Sequence, residues 1–213
     1  MNWWSELFAY SCQGEKPGGL ALTRHAAALC GFDSSSKILD LASGDGSTVR
    51  DLRKTLGCQV SGLDCDPARE SPDVQLGDAA QLPFPDGVFD GVFLECALSQ
   101  ISCCDLVLAQ CSRVLKSGGK LVLSDLYTRA DVTSWDTPIG RLDSASTLEK
   151  RLKEQGLIPT HFEDHSRALT ALWAQARMEG QNSQLFSSLV RFPGWKELKC
   201  GYYLCIAEKS ALC

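Results

Sequence analysis

The 213-residue chain contains no run approaching the ~18 consecutive apolar residues that a membrane-crossing helix requires. A membrane-spanning segment is therefore not expected. Basic residues are not in excess either: 21 Lys and Arg stand against 26 Asp and Glu, a formal net charge of −5. That balance excludes a broad electrostatic footprint for nucleic acid, although not a local basic groove. The opening stretch MNWWSELFAYSCQGEKPGG lacks a basic segment followed by an apolar one, so no secretory signal is read there and a cytoplasmic protein is expected. Cysteine is plentiful, with eleven residues, but no CxxC pair occurs and the spacings fit neither a zinc site nor a disulfide framework. No metal site is expected, and most of the thiols read as reduced, buried small hydrophobes.

Hydrophobic residues make up 44% and charged residues 22%, the composition of a globular chain with one sizeable core. Apolar spacing predicts a helical arm over Asn2–Tyr10, which carries Trp3 and Trp4, and a helix over Leu20–Cys30 after the break at Lys16-Pro17-Gly18-Gly19. From Lys37 the chain alternates. Strands are predicted at Lys37–Leu41, Gln59–Leu63, Val74–Gly77, Phe89–Glu95 and Lys120–Ser124. Helices are predicted at Thr48–Leu56 and Asp105–Leu115, the latter with Ser102 as a capping-box residue. Further on come a helix at Ser146–Gln155, a strand at Leu157–Phe162, a helix at Ala168–Met178 and a strand at Tyr202–Ala207. Residues 128–145 are polar and rich in turn formers, and read as a surface loop.

Strands alternating with helices give an α/β fold with a mostly parallel sheet, and the apolar early strands suit burial on both faces. No linker, repeat or low-complexity segment appears. A single domain over residues 1–213 is expected: an N-terminal helical arm or lid (1–36), a binding core (37–127) and a C-terminal part with the final strand pair (128–213).

In such sheets ligands bind outside the carboxyl ends of the strands. The stretch ILDLASGDGST at residues 38–48 is a strand, an acid and a glycine loop at such an end. A phosphate-binding G-x-x-x-x-G-K-S/T loop would need a lysine after Gly46, and none is there. A dinucleotide loop would need a third glycine, and Asp45 would set a negative charge beside a pyrophosphate. A cationic ligand without phosphate suits the acids. Asp64 ends the second strand, 18 residues after Gly46, where a carboxylate can accept from ribose hydroxyls, though NAD proteins use the same device. Asp78 follows the third strand and Glu95 ends the fourth. Each acid alone reads as a cap or turn residue. Four at four consecutive strand ends suggest a site.

Taken in order, ILDLASGDG, GLDCDPA, GDAAQLPFPDGVFD and RVLKSGGKLVLSD make residues 37–125 resemble the core of the class I S-adenosylmethionine-dependent methyltransferases of small-molecule type. The resemblance implies a Rossmann-like three-layer sandwich, with a seven-stranded, mostly parallel sheet whose last strand is antiparallel. It implies S-adenosyl-L-methionine as cofactor and a small-molecule methyl acceptor, with neither nucleic acid nor membrane as partner. It assigns Asp40 to the methionine ammonium, Ala42, Gly44 and Gly46 to the loop backbone, and Asp64 to the ribose. Cys65 would lie beside the adenine, Asp78 and Ala79 at its edge, and Glu95 and Cys96 near the methyl-transfer region.

Ala42 departs from the family's usual glycine, and a negative φ is expected there. Methyl transfer from a sulfonium is an in-line displacement that releases a neutral leaving group, so no catalytic acid is required. A base is needed only if the acceptor must lose a proton, and no catalytic residue is assigned. His25, Tyr127 and His165 are candidates for the acceptor side. Alternatives stay open: a protein that binds the cofactor without catalysis, an NAD(P)-binding oxidoreductase, or methylation of a soft arsenic or selenium acceptor held by cysteines near the fourth strand.

Overall fold

The computed structural model describes residues 16–137, 140–178 and 194–211, so the expected arm over Asn2–Tyr10 lies outside the described residues. Helix α1 (Gly19–Cys30) leads into β1 (Lys37–Leu41), α2 (Ser47–Leu56), β2 (Gln59–Asp64), β3 (Val74–Leu76) and β4 (Phe89–Glu95). Then follow α3 (Cys104–Val114), β5 (Leu115–Thr128), a hairpin of β6 (Ser134–Thr137) and β7 (Gly140–Asp143), α4 (Ala145–Glu154), β8 (Leu157–Asp164), α5 (Ser166–Met178), the short α6 (Trp195–Leu198) and β9 (Cys200–Lys209).

Seven strands form one sheet in the order β3-β2-β1-β4-β5-β9-β8. The first five are parallel, and β9 runs antiparallel between β5 and β8. The expected final pair is thus β8 and β9, and β9 is the antiparallel strand. Strand order reverses between β1 and β4, and the crevice for a ligand opens at that point.

Side-chain alternation divides the core into two layers. Ile38, Val60, Phe93, Val122, Leu126, Tyr202 and Leu204 face α1, α2 and α5. Leu39, Leu41, Leu63, Val92, Leu94, Leu123 and Tyr203 face α3 and α4. Asp40, Asp64, Glu95 and Ser124 continue the first set by parity, so the acids share the face covered by α1 and α2.

Two expectations change. Residues 128–145 are not a loop: β5 runs to Thr128, and β6 pairs with β7 in the register Trp135↔Leu142. Leu142 is fully buried and Trp135 packs against the core, so one short apolar cross-strand pair holds an otherwise polar hairpin. The Ser102 capping box does not form. Helix α3 starts at Cys104, one residue before the expected Asp105, and its N-cap is Cys103, which makes no side-chain cap bond.

Candidate active site

At the carboxyl end of β1 the chain turns through Ala42 (φ 56°), Gly44 (φ 56°) and Gly46 (φ 75°). The expected negative φ at Ala42 is therefore wrong. The turn is fixed by backbone bonds, Ser43 N–H to Leu63 O at 3.1 Å and Gly46 N–H to Ser43 O at 2.9 Å, which force the chain off β1 through the left-handed region. An alanine there costs about 1–2 kcal/mol. Gly46 is favoured by its positive φ, and a Cβ there would crowd Val74 Cγ2 at 3.0 Å, whereas a Cβ on Gly44 would enter open space. Cys96, the residue after β4, also has φ 56°. Two of the three described non-glycine residues with positive φ, Ala42 and Cys96, thus stand at the ends of the two strands that flank the switch point, while Lys199 lies elsewhere, before β9.

Asp64 is already oriented. Its Oδ2 accepts from Gly44 N–H at 2.8 Å and its Oδ1 from Asp66 N–H at 2.9 Å. Gly77 N–H donates to Asp64 O at 2.8 Å, so the loops after β1, β2 and β3 form one shelf. Asp78, on that shelf, accepts from Ala80 N–H at 2.8 Å and is exposed, as is Cys65. Ala79 and Ala42 pack partly buried against the α3 side of the core. Asp45 points outward: it accepts from Ser47 N–H at 3.0 Å and pairs with Arg50 at 3.4 Å. Its charge belongs to the turn and to Arg50 rather than to a ligand.

Asp40 is 3% exposed. Burial, then the charge of Glu95, push its carboxyl well above the usual range, against the pull of Lys16. Its Oδ2 has no hydrogen-bond partner among the described residues. A buried acceptor without a donor is costly unless a ligand supplies one. Glu95 sits beside it, paired with Lys16 and accepting from Thr23 at 3.2 Å, Thr48 at 3.2 Å and Ser124 at 3.4 Å. Ser124 accepts from the Tyr202 hydroxyl at 3.1 Å, and Tyr202 Oη lies 2.9 Å from Cys96 Sγ. Lys16, Thr23, Thr48, Ser124 and Tyr202 thus complete a recess of which sequence reading found only the acids. Strand parity could have found Ser124; nothing in the sequence connects Lys16 to Glu95, 79 residues away.

The three acceptor-side candidates do not reach this recess. Tyr127 has the opposite parity from Ser124, and its ring packs edge-on against Phe162 and Tyr203 at 5.7 and 5.8 Å on the other face of the sheet. His25 and His165 meet on Glu163 at 3.1 and 2.6 Å, joined by His161 at 2.7 Å, so all three histidines of the chain bond one carboxylate at the edge strand β8. Burial alone would raise Glu163; the imidazoles of His161, His165 and His25 outweigh it and hold the carboxyl down at about 2.

Residues 39–123 match the family model described as a methyltransferase domain. Over that stretch the chain is similar to the S-adenosylmethionine-dependent methyltransferases. The chain is 34% identical over 105 residues to the demethylmenaquinone methyltransferase of Beutenbergia cavernae, a match covering 46% of this chain and 44% of that one. It is 27% identical over 225 residues to the 27-O-demethylrifamycin SV methyltransferase of Amycolatopsis mediterranei, covering 88% and 82%. For the Beutenbergia enzyme and two other curated relatives the match spans only 44 to 59% of their length. Among solved structures, the geranyl diphosphate C-methyltransferase of Streptomyces coelicolor, crystallised with S-adenosyl-L-homocysteine, superposes with TM-score 0.76 at 13% identity, over 90% of this chain and 77% of that one. The matched stretch contains the glycine loop after β1. Among the described residues, no helix is long and apolar enough to cross a membrane.

Proposed function

We propose that this methyltransferase binds S-adenosyl-L-methionine across β1, β2 and β4 and transfers its methyl group to a small-molecule nucleophile. The observation that carries the reading is the unpartnered, buried Oδ2 of Asp40, an acceptor suited to an ammonium. In this reading the 213 residues work as one cytoplasmic domain, in keeping with the free thiol state of the nine described cysteines.

The cofactor supplies a methyl group on a positively charged sulfur that leaves neutral. The chain's part is placement. Asp40 holds the ammonium, Gly44 leaves open backbone beneath the ligand, and the pre-set Asp64 carboxylate takes the ribose hydroxyls. The exposed shelf of Cys65, Asp78 and Ala79 serves the adenine. Glu95 and Cys96 border the reacting region, where the recess excludes water and aligns donor with acceptor. No group is assigned as a base.

A soft acceptor held by cysteines is disfavoured. Burial pushes the Cys96 thiol well up, Cys111 and Cys200 to about 12, and Cys104 upward, which opposes the thiolate form that a soft acceptor binds. An NAD-binding reading is opposed by the buried acids, which repel a pyrophosphate. Calorimetric titration with S-adenosylmethionine, S-adenosylhomocysteine and NAD separates these. Binding of the first two, with methyl transfer from labelled cofactor into a metabolite extract, supports the proposal. Binding of NAD alone overturns it. Tight cofactor binding with no labelled product under any condition favours the non-catalytic alternative.

A further inference from the structure

The shelf assigned to the adenine is held from behind by α3, and that contact carries an inference that rests on the cofactor reading above. Asp78 is exposed, in a turn closed by Ala80 N–H on its Oδ1 at 2.8 Å and by Gln81 N–H on Asp78 O at 3.0 Å. Gly77 ties the near side of this turn to Asp64 O. On the far side the chain from Leu82 to Asp86 is neither helix nor strand, so its backbone groups need other partners. Arg113, in the last turn of α3, supplies them. Its Nη1 donates to Phe84 O at 2.8 Å and to Asp86 Oδ1 at 2.7 Å. Its Nη2 donates to Leu82 O at 3.0 Å and to Gln110 Oε1 at 2.8 Å, and its Nε to Gln110 Oε1 at 3.2 Å. All five N–H donors of the guanidinium are thus engaged. Gln110 Oε1 also accepts from Leu82 N–H at 3.3 Å.

Both backbone polar groups of Leu82 therefore end on side chains of α3, just past the turn of Asp78. The Leu82 side chain is buried, and the Phe84 ring meets Phe89 edge-on at 5.1 Å, which keeps the stretch against the core. Asp86 is 79% exposed, so its ion pair with Arg113 contributes little. The weight of the contact falls on the carbonyls of Leu82 and Phe84, which a charged donor binds more strongly than a neutral one. An exposed carboxylate such as Asp78 discriminates between ligands only if its backbone is set beforehand. We propose that Arg113, together with Gln110, is a positioning residue for the cofactor's base. Through Leu82 and Phe84 it fixes the turn of Asp78, whose carboxylate accepts from the exocyclic amino group, and so sets a preference for adenine over a purine with oxygen in that place.

The test compares S-adenosylhomocysteine with S-inosylhomocysteine, which carries an oxygen in place of the exocyclic amino group, by calorimetric titration. The wild-type chain is expected to favour the adenine form by about tenfold or more, since the carboxylate then faces an oxygen and loses its donor. Arg113→Met is expected to cut that preference to about threefold or less by weakening the adenine form, with thermal denaturation confirming a folded variant. Arg113→Lys, which still carries a charged donor, is expected to recover part of the preference. Gln110→Ala removes the acceptor for Leu82 N–H, is the milder change, and should lower the preference in the same direction; it decides the matter if Arg113→Met does not fold. Variants that weaken both ligands by one factor, keeping the wild-type ratio, would confine Arg113 to stability and overturn the proposal. A wild type that binds both ligands equally would also overturn it, while leaving the cofactor reading intact. If the wild type binds neither ligand, that reading itself falls, and this inference with it.

Discussion

Two clusters of titratable side chains lie toward the carboxyl ends of the parallel strands, and they are built on opposite principles. The recess of Asp40, Glu95 and Lys16 is buried, bordered by two strained residues, and leaves one carboxylate oxygen without a donor among the described residues. The Glu163 cluster is partly exposed, and its carboxylate accepts from three imidazoles. The first leaves a buried acceptor unpaired among the described residues, a need that a ligand would fill. The second satisfies its own charge and ties α1 to β8. Helix α1 joins both, since Thr23, Arg24 and His25 reach Glu95, Asp51 and Glu163 in succession. Proximity of ionisable groups is thus a poor guide to a site; an unpaired buried atom is a better one.

The comparison breaks most sharply under isosteric substitution. Asp40→Asn should weaken S-adenosylmethionine binding about 100-fold, roughly 3 kcal/mol for loss of a buried ion pair, while Tm holds or rises because a desolvated carboxyl is gone. Glu163→Gln should do the reverse, lowering Tm modestly, by about 1 kcal/mol of stability, with cofactor affinity unchanged. Calorimetry and thermal denaturation on both variants read this directly; equal effects on affinity would remove the distinction.

Acid–base behaviour separates the regions next. Asp125 is buried, and burial pushes it up to about 6 against the bonds it accepts from Ser99 and Leu126. A raised carboxyl means that the folded state takes up a proton before the unfolded one. Stability should therefore rise as pH falls from about 6 to about 4, by on the order of 3 kcal/mol, and Asp40 acts in the same sense. Glu163 is depressed, so its contribution is present above about pH 4.5 and lost as pH falls toward 2. Denaturant unfolding should show a maximum near pH 5. In Glu163→Gln the loss on the acid side should shrink.

Smaller effects probe the loop. Asp64→Ala should weaken the cofactor at least tenfold, about 1.4 kcal/mol, and near-wild-type affinity would remove Asp64 from the ribose role. Ala42→Gly should add up to about 1 kcal/mol of stability by relieving the positive φ, whereas Ala42→Val should destabilise. Denaturant midpoints decide both.

The sequence carries the alternation of strands and helices and the acids at their ends, because burial on both faces leaves continuous apolar runs and each polar residue at a run's end is conspicuous. Asp40, Asp64 and Glu95 were legible for that reason. Lys16 and Tyr202 were not, since their roles depend on loops and strands brought together over long separations. Tyr127 lies on the opposite face from the recess, because nearness in sequence to the end of β5 says nothing of which face the ring takes; counting alternation from Leu123 puts it opposite Ser124. The φ at Ala42 is set by two backbone bonds that no side-chain pattern reports.

The central claim is that Asp40 keeps an oxygen for the cofactor's ammonium. Titration of S-adenosylmethionine into the wild-type chain and into Asp40→Asn at pH 7 tests it most directly. The account predicts binding to the wild type and about 100-fold weaker binding to a variant that folds with equal or higher Tm. Equal affinities for the two proteins would contradict it.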